Sequence, residues 1–127
     1  MPLAANIMRG GFSAGSAGAV GGTAFNTAVA SAGSTQTNAT AIVTDICIVT
    51  GADGTKGVRL PAAHPGESSV IFNNSGSTLK VYPPTGAAIA VPGTGLGSAN
   101  AAYSHTTYAT VEYFCVSSTQ WIPQKSA

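Results

Sequence analysis

Apolar and polar residues alternate with a period of two along most of the chain from Phe25 onward. Alternation of this kind is typical of β-strands that bury one face. Residues 41–50 and 107–118 form the longest runs. In the first run, one side carries Ile42, Thr44, Ile46 and Ile48, and the other side carries Val43, Asp45, Cys47 and Val49. We find no helical period, so the sequence predicts an all-β protein.

Two short loops that are rich in Gly, Asn and Asp predict hairpins. The first loop contains Asp53-Gly54, and the second contains Asn74 and Gly76. Hairpins in these places would join residues 41–50 to 58–60, and residues 68–73 to 79–82. Each of these strands would then pair antiparallel with the next one along the chain.

The C-terminal half predicts one more strand pair and one long connection. Residues 120–124 are predicted to pair back onto the strand 107–118 after a short turn. Residues 83–106 are predicted to be a connection with one short strand near residues 89–91, because Pro and Gly interrupt anything longer. Several short strands with frequent turns indicate a compact antiparallel β-sandwich or barrel-like domain, which we assign to residues 25–127.

Residues 1–24 have a different composition, dominated by Gly, Ala and Ser. Each Gly costs a helix about 1 kcal/mol relative to Ala, so this segment predicts an extended N-terminal arm. One interpretation is a disordered tail, the usual fate of such a composition. The other is an arm that becomes ordered on a partner, because a bare linker would not need large apolar side chains. The residues that we expect to contact such a partner are Ile7, Met8, Arg9 and Phe12.

The chain carries very little charge. Asp, Glu, Lys and Arg make up 7% of its 127 residues, against about 25% in an ordinary globular domain. A free monomer normally relies on scattered charges to stay in solution, so a surface this neutral is better suited to being covered by neighbouring molecules. The composition therefore favours a component of an assembly.

Charge distribution and hydropathy argue against two classes of partner. The formal net charge is +1, and the five basic residues are spread along the chain without forming a stripe that could neutralise several phosphates. Residues 1–20 contain one Arg and no continuous apolar run, which is unlike a signal peptide or a membrane anchor. We therefore expect synthesis in a cytoplasm and no binding to nucleic acid or membranes.

Cys47 and Cys115 are the only cysteines. Each lies within an apolar alternating run, and the chain lacks the cysteine density of a disulfide-stabilised scaffold. We expect both to be small buried hydrophobic residues. The sequence leaves a disulfide open, because the distance between the two strands is not known from it.

Catalytic and metal-binding patterns are absent from the sequence. His64 and His105 are interpreted as exposed loop histidines, and no His, Cys or acidic residues are grouped at ligand spacing. The acidic residues Asp45 and Glu112 fall within strands and pair with no other carboxylate, and the serines lie in turns without a nucleophile motif. We therefore predict that the protein is not an enzyme and holds no metal or cofactor.

Aromatic residues supply the main alternative function. Tyr and Trp side chains stack on sugars in many all-β proteins, but aromatic residues that alternate along a strand are more often part of the core. Tyr103 lies in a Gly-rich stretch outside the clear strands, so it is the residue that we would assign to a glycan contact.

Three segments together resemble a known group of proteins. They are "GVRLPA" at residues 57–62, "VIFNNSGSTLKVYPPTGAAI" at residues 70–89, and "QW" at residues 120–121. The motif residues within them are Gly57, Arg59, Leu60, Pro61, Asn73, Gly76, Tyr82, Pro83 and Trp121. This combination is similar to that of small structural proteins of tailed bacteriophages, which occur as head proteins and as modules of fibre proteins.

The resemblance implies a structural role in a virion and supplies no catalytic residues. A short chain of this kind is more similar to a capsid decoration, or cement, protein on the capsid surface than to a fibre. Its partners would be the major capsid protein and further copies of itself, with a homotrimer favoured by analogy. Ile7, Met8, Arg9 and Phe12 would then contact the capsid or a neighbouring subunit. The alternative is a fibre or spike module that binds a host receptor or glycan.

Overall fold

The computed structural model describes residues 24–125. In this part of the chain there are ten β-strands and no α-helix, so the all-β prediction is confirmed. The strands are β1 (Phe25–Ala30), β2 (Thr40–Ala41), β3 (Ile46–Thr50), β4 (Gly57–Arg59), β5 (Ser68–Asn73), β6 (Leu79–Tyr82), β7 (Ala88–Ile89), β8 (Tyr103–His105), β9 (Thr110–Ser117) and β10 (Gln120–Lys125).

The strands form two sheets. The six-stranded sheet has the order β1-β3-β5-β9-β10-β7, and the four-stranded sheet has the order β2-β4-β6-β8. From β1 to β8 the chain alternates between the sheets, placing one strand in the first and the next strand in the second. Successive strands of one sheet are therefore separated by a visit to the other sheet.

This alternation makes most of the pairings parallel. Of the eight pairings between the described strands, β1–β3, β3–β5, β2–β4, β4–β6 and β7–β10 are parallel. From β1 to β6, each return to a sheet brings the chain back in its original direction, so β1–β3, β3–β5, β2–β4 and β4–β6 are parallel. The prediction of an antiparallel architecture is wrong for these pairings, and it holds for β5–β9, β9–β10 and β6–β8.

Both predicted hairpins are also wrong. β3 pairs with β5 and β4 pairs with β6, so each of the two loops connects the sheets instead of reversing the chain within one. In the first loop, the Asp53 carboxylate accepts hydrogen bonds from the Thr55 hydroxyl and from the backbone N–H groups of Thr55 and Lys56. These bonds, with the Thr55 hydroxyl first, lower the pKa of Asp53 to about 2. Asp53-Gly54 therefore marks a real turn here, but one that leads from one sheet to the other.

The strand predicted at residues 41–50 is divided between the two sheets. Thr40 and Ala41 pair with β4, and pairing with β5 begins at Ile46. Between them the chain crosses over, which leaves Val43 84% exposed. The predicted strand 107–118 begins only at Thr110, and β8 was missed. The pairing of β10 with β9 is confirmed.

Both sheets contribute to a single hydrophobic core. The four-stranded sheet supplies Val58, Leu79 and Val81, and the six-stranded sheet supplies residues such as Ile71 and Tyr113. Cys47 and Cys115 are free and buried in this core, as expected. Burial raises the pKa of the Cys47 thiol to about 11. The two cysteines therefore behave as small apolar side chains.

Candidate interaction surface

Several of the motif residues converge on one loop, residues 33–38. Arg59 reaches it from β4, donating a hydrogen bond from Nη1 to the carbonyl of Gln36 at 2.9 Å. Tyr82 reaches it from β6, donating from its hydroxyl to the carbonyl of Ser34 at 3.0 Å. Gln36 completes the attachment, since its Nε2 donates to the carbonyl of Pro83 at 2.8 Å. These motif residues thus fix a loop against the four-stranded sheet.

Most of the remaining motif residues lie in or next to the core. Leu60, Pro83 and Trp121 are buried, Pro61 is half-buried beside Trp121 at a surface cavity, and Gly76 is exposed in a turn. Asn73 is fully buried and donates from Nδ2 to the carbonyl of Ser77 at 2.9 Å. It also approaches the carbonyls of His105 and Thr106 at 3.4 and 3.3 Å. Asn73 therefore joins the end of β5 to the segment that follows β8.

His105 corrects the prediction of an exposed loop histidine, because it is a fully buried residue of β8. Its Nε2 lies 2.7 Å from the carbonyl of Ala109, which can only accept, so Nε2 carries the proton. Its Nδ1 lies 2.8 Å from the Tyr113 hydroxyl, which donates to it. Both ring nitrogens are satisfied with the ring neutral, and burial, supplemented by Lys125, lowers the pKa of His105 below its usual 6.5.

This lowered pKa predicts a loss of stability in mild acid. Well above pH 6.5 the ring is neutral in both the folded and the unfolded chain, so its contribution is complete. As the pH falls below that value the unfolded chain takes up a proton first, and the free energy of unfolding decreases by up to about 1.4 kcal/mol per pH unit. Urea unfolding between about pH 7.5 and about pH 5.5 measures this slope.

Matched histidine variants isolate the contribution of His105. In His105→Gln the slope over this range should flatten, while the exposed His64→Gln controls for the loss of a histidine as such. A slope that His105→Gln leaves unchanged would assign the acid sensitivity to other groups.

A cavity of about 250 Å³ with both polar and apolar walls opens at one end of the six-stranded sheet. Asp45, His64 and Glu67 line it, and sequence reasoning did not bring these three residues together. The Asp45 carboxylate already accepts a hydrogen bond from the backbone N–H of Ala24. Among residues 24–125 no group of three His, Cys, Asp or Glu side chains is arranged to hold a metal ion. The cavity therefore brings two carboxylates and an imidazole to one surface.

Tyr103 lies in β8, and not in a loop as its sequence context suggests. Its ring packs edge-on against Tyr113, with the centroids 5.8 Å apart, and burial raises the pKa of its hydroxyl. The exposed part of Tyr103 lines an open cleft of about 410 Å³ together with Val91, Pro92 and Lys125. Tyr103 is thus partly a core residue and partly a wall of a surface cleft.

The most extensive unusual feature is the outer face of the six-stranded sheet, which is the side turned away from the core. Burial alternates along β3, along β9 and along β5 from Ser69, so that residues such as Cys47 and Ile71 point inward and their neighbours point outward. Strand register aligns the outward side chains in rows across the sheet. The rows are Phe25-Ile46-Val70-Glu112-Gln124, Ile48-Phe72-Thr110 and Ser68-Phe114-Ile122.

This outer face is largely apolar and partly open to solvent. Phe25 is 72% exposed and Ile122 is 40% exposed, while Ile46, Val70 and Phe72 are intermediate. Across all three rows Glu112 is the only charged side chain. Contiguous apolar surface of this extent on a protein is typical of an interaction site. We therefore identify the outer face as the candidate functional surface.

Comparison of the chain with family models, with curated proteins and with solved structures gave no match. The resemblance to phage structural proteins therefore rests on the motifs quoted above. The predicted arm contacts, Ile7, Met8, Arg9 and Phe12, lie outside the described residues. Within residues 24–125 no helix is long and apolar enough to span a membrane.

Proposed function

We propose that this protein is a structural component of a bacteriophage particle, and specifically a capsid decoration (cement) protein. It binds the outer capsid surface as an oligomer and stabilises the head. The observation that carries the proposal is the outer face of the six-stranded sheet, where five adjacent strands contribute apolar side chains and the three rows contain a single charged residue, Glu112. The motif resemblance supplies the viral context.

Low charge and apolar surface suit this role for a physical reason. Each copy adds a modest area of apolar contact across a seam between capsid subunits, and the total grows with copy number. Like-charged neighbours repeated across a lattice would repel each other, whereas Ala, Gly, Ser and Thr surfaces pack closely. A protein with 7% charged residues avoids that repulsion.

The proposal also covers the architecture, the N-terminal arm, the partners and the location of the protein. The two sheets pack face to face as a β-sandwich, and residues 1–24 form the arm that contacts the capsid or a neighbouring subunit. The partners are the major capsid protein and other copies of this chain, without nucleic acid or membrane. The protein is made in the host cytoplasm, resides in the virion, and carries out no catalysis.

The competing function is that of a fibre or spike module that binds a host receptor or glycan. The cleft beside Tyr103 favours it, because an exposed aromatic edge next to Lys125 and the hydroxyl of Ser104 could contact a sugar. Much of the Tyr103 ring is nevertheless packed on Tyr113, which leaves less of it for stacking.

A capsid-binding assay tests the proposal. The full chain, added to expanded capsids of the phage that encodes it, should bind at a fixed number of copies per capsid subunit. The triple variant Ile7→Ser, Met8→Ser, Phe12→Ser should lose at least about tenfold in affinity, since each large apolar side chain contributes about 1.5–3 kcal/mol when fully buried. Sedimentation of capsids with bound protein measures both the number of copies bound and the affinity.

Two outcomes would contradict this assignment. If the triple variant bound capsids with full affinity, the arm would not form part of the capsid contact. Binding of the isolated protein to host cells or polysaccharide, lost in Tyr103→Ala and absent for capsids, would replace the cement function with the fibre function.

A further inference from the structure

The cavity at one end of the six-stranded sheet lies beside the first described residue. Asp45 and Glu67 bring two carboxylates to its wall, and no Lys or Arg of the described part of the chain lines it. The carbonyl of Ala24 accepts hydrogen bonds from the backbone N–H groups of Asp45 and Ile46 at 2.8 and 3.1 Å. The N–H of Ala24 donates to the Asp45 carboxylate at 3.2 Å. Residues 1–23 therefore join the domain at the edge of this cavity.

The N-terminal segment carries the charge that the cavity lacks. Arg9 is the only charged side chain in residues 1–23, and Ile7 and Met8 directly precede it. The cavity wall also combines the two kinds of surface, because Val43 lines it beside the carboxylates and is 84% exposed. A guanidinium has five N–H donors for carboxylate oxygens, and apolar neighbours next to it can cover an apolar wall. The tripeptide Ile-Met-Arg thus matches the cavity in charge and in polarity.

We propose that Arg9 binds in this cavity of its own chain and pairs with Asp45 and Glu67, which holds the N-terminal segment against the domain. The proposal concerns the free protein, goes beyond the capsid function and does not depend on it. A Gly-rich connection as long as residues 10–23 spans roughly 20 Å on average and gives an effective concentration in the millimolar range. Arg9 of the same chain is therefore favoured over Arg9 of a second copy.

The cavity has room for this side chain and leaves both carboxylates within reach. Its volume of about 250 Å³ is several times the roughly 30 Å³ that a water molecule occupies in the liquid. Glu67 is exposed and Asp45 is half-buried. The bond from Ala24 reaches Oδ2 of Asp45 and orients the carboxylate. A single exposed ion pair contributes little, so two carboxylates and a short connection are what make the contact measurable.

Trypsin tests this contact in the full chain. Trypsin cleaves after Lys and Arg, and Arg9 is its only target in residues 1–23. An arginine bound in the cavity cannot enter the protease, so the loss of residues 1–9, followed by mass spectrometry, should be slow. Asp45→Asn and Glu67→Gln should each accelerate it about twofold, and the double variant about fivefold, since an exposed ion pair changes an equilibrium by up to roughly fivefold.

Matched controls separate the cavity from general effects of charge. Glu112→Gln removes a carboxylate that lines a different surface depression, and it should leave the cleavage rate unchanged. Asparagine at position 45 keeps an oxygen that can accept the bond from Ala24, so the start of β1 should stay in place. Far-ultraviolet circular dichroism shows that each variant is folded.

Nuclear magnetic resonance gives a second measurement that needs no protease. Trp121 lines the cavity and is the only tryptophan, so its indole N–H gives a single signal. Arg9→Gln should shift this signal, because it removes a cation from the cavity. Lys80→Gln removes a cation elsewhere and should leave the signal in place.

Three outcomes would overturn the proposal. A cleavage rate after Arg9 that the double variant leaves unchanged would do so, and so would an indole signal that Arg9→Gln does not shift. Protection from trypsin that increases with protein concentration would assign the cavity to Arg9 of a second copy. No capsid is present in these experiments, so their failure leaves the capsid-binding result intact.

Discussion

Replacing Trp121 by alanine should lower the free energy of unfolding by about 3–5 kcal/mol, the largest loss expected from any single truncation in this protein. Trp121 is 1% exposed and lies in β10 between Cys115 of β9 and Ile89 of β7. Its removal takes a large apolar side chain from the core and leaves a cavity that strands on both sides hold open. β7 has only two residues, and it would lose much of its contact with the core.

Unfolding in urea, followed by circular dichroism because Trp121 is the only tryptophan, measures this loss. Trp121→Phe is the matched control. Among residues 24–125 no acceptor lies within hydrogen-bonding distance of the indole Nε1, so phenylalanine gives up apolar contact but no hydrogen bond. Its loss should be well below that of alanine. Equal losses for both variants would show that the phenyl ring recovers none of the apolar contact.

Ile122→Ala, at the next residue, addresses the outer face. Its side chain points away from the core, so in the monomer its loss should stay below about 1 kcal/mol. A loss as large as that of Trp121→Ala would mean that the outer face is already covered under the conditions of the measurement.

The sequence predicted local structure well and sheet assignment poorly, for a physical reason. A turn signal such as Asp53-Gly54 records that the chain bends, and the energy of that bend is the same whether the next strand pairs with the last one or crosses to another sheet. The crossing is decided by long-range pairing, here β3 with β5 and β4 with β6. The pattern of neighbouring residues along the chain therefore does not predict whether the chain crosses to the other sheet.

The outer face escaped prediction for a related reason. Both sides of β3 are apolar, with Ile46 and Ile48 on one and Cys47 and Val49 on the other. Period-two alternation identifies the two sides but cannot say which one meets the core when both are apolar. Only the order β1-β3-β5-β9-β10 shows that the outward sides join into one surface.

His105 shows a limit of a different kind. Polar neighbours at Ser104 and Thr106 suggest a surface position. Its burial depends on two partners that the fold supplies, the Ala109 carbonyl and the Tyr113 hydroxyl. A buried polar side chain is acceptable once its hydrogen bonds are satisfied, and their presence is visible only in three dimensions.

Gly57→Ala should destabilise the protein by about 1–3 kcal/mol or prevent folding, although it adds a single methyl group. A Cβ at this position would lie 2.7 Å from the backbone carbonyl oxygen of Lys80 and 2.8 Å from a ring carbon of Tyr82. β4 cannot withdraw, because Gly57 is hydrogen-bonded to Ala32 through both its N–H and its carbonyl on the opposite side. The clash must therefore distort the pairing of β4 with β6.

Gly76→Ala is the matched control from the same motif. Gly76 is exposed, and its added Cβ would have the Tyr108 hydroxyl at 3.8 Å as its nearest neighbour, so the change should stay within about 0.5 kcal/mol. Thermal or urea unfolding of the two variants compares them directly. If Gly57→Ala proved as harmless as Gly76→Ala, close approach of β4 and β6 would not explain this glycine.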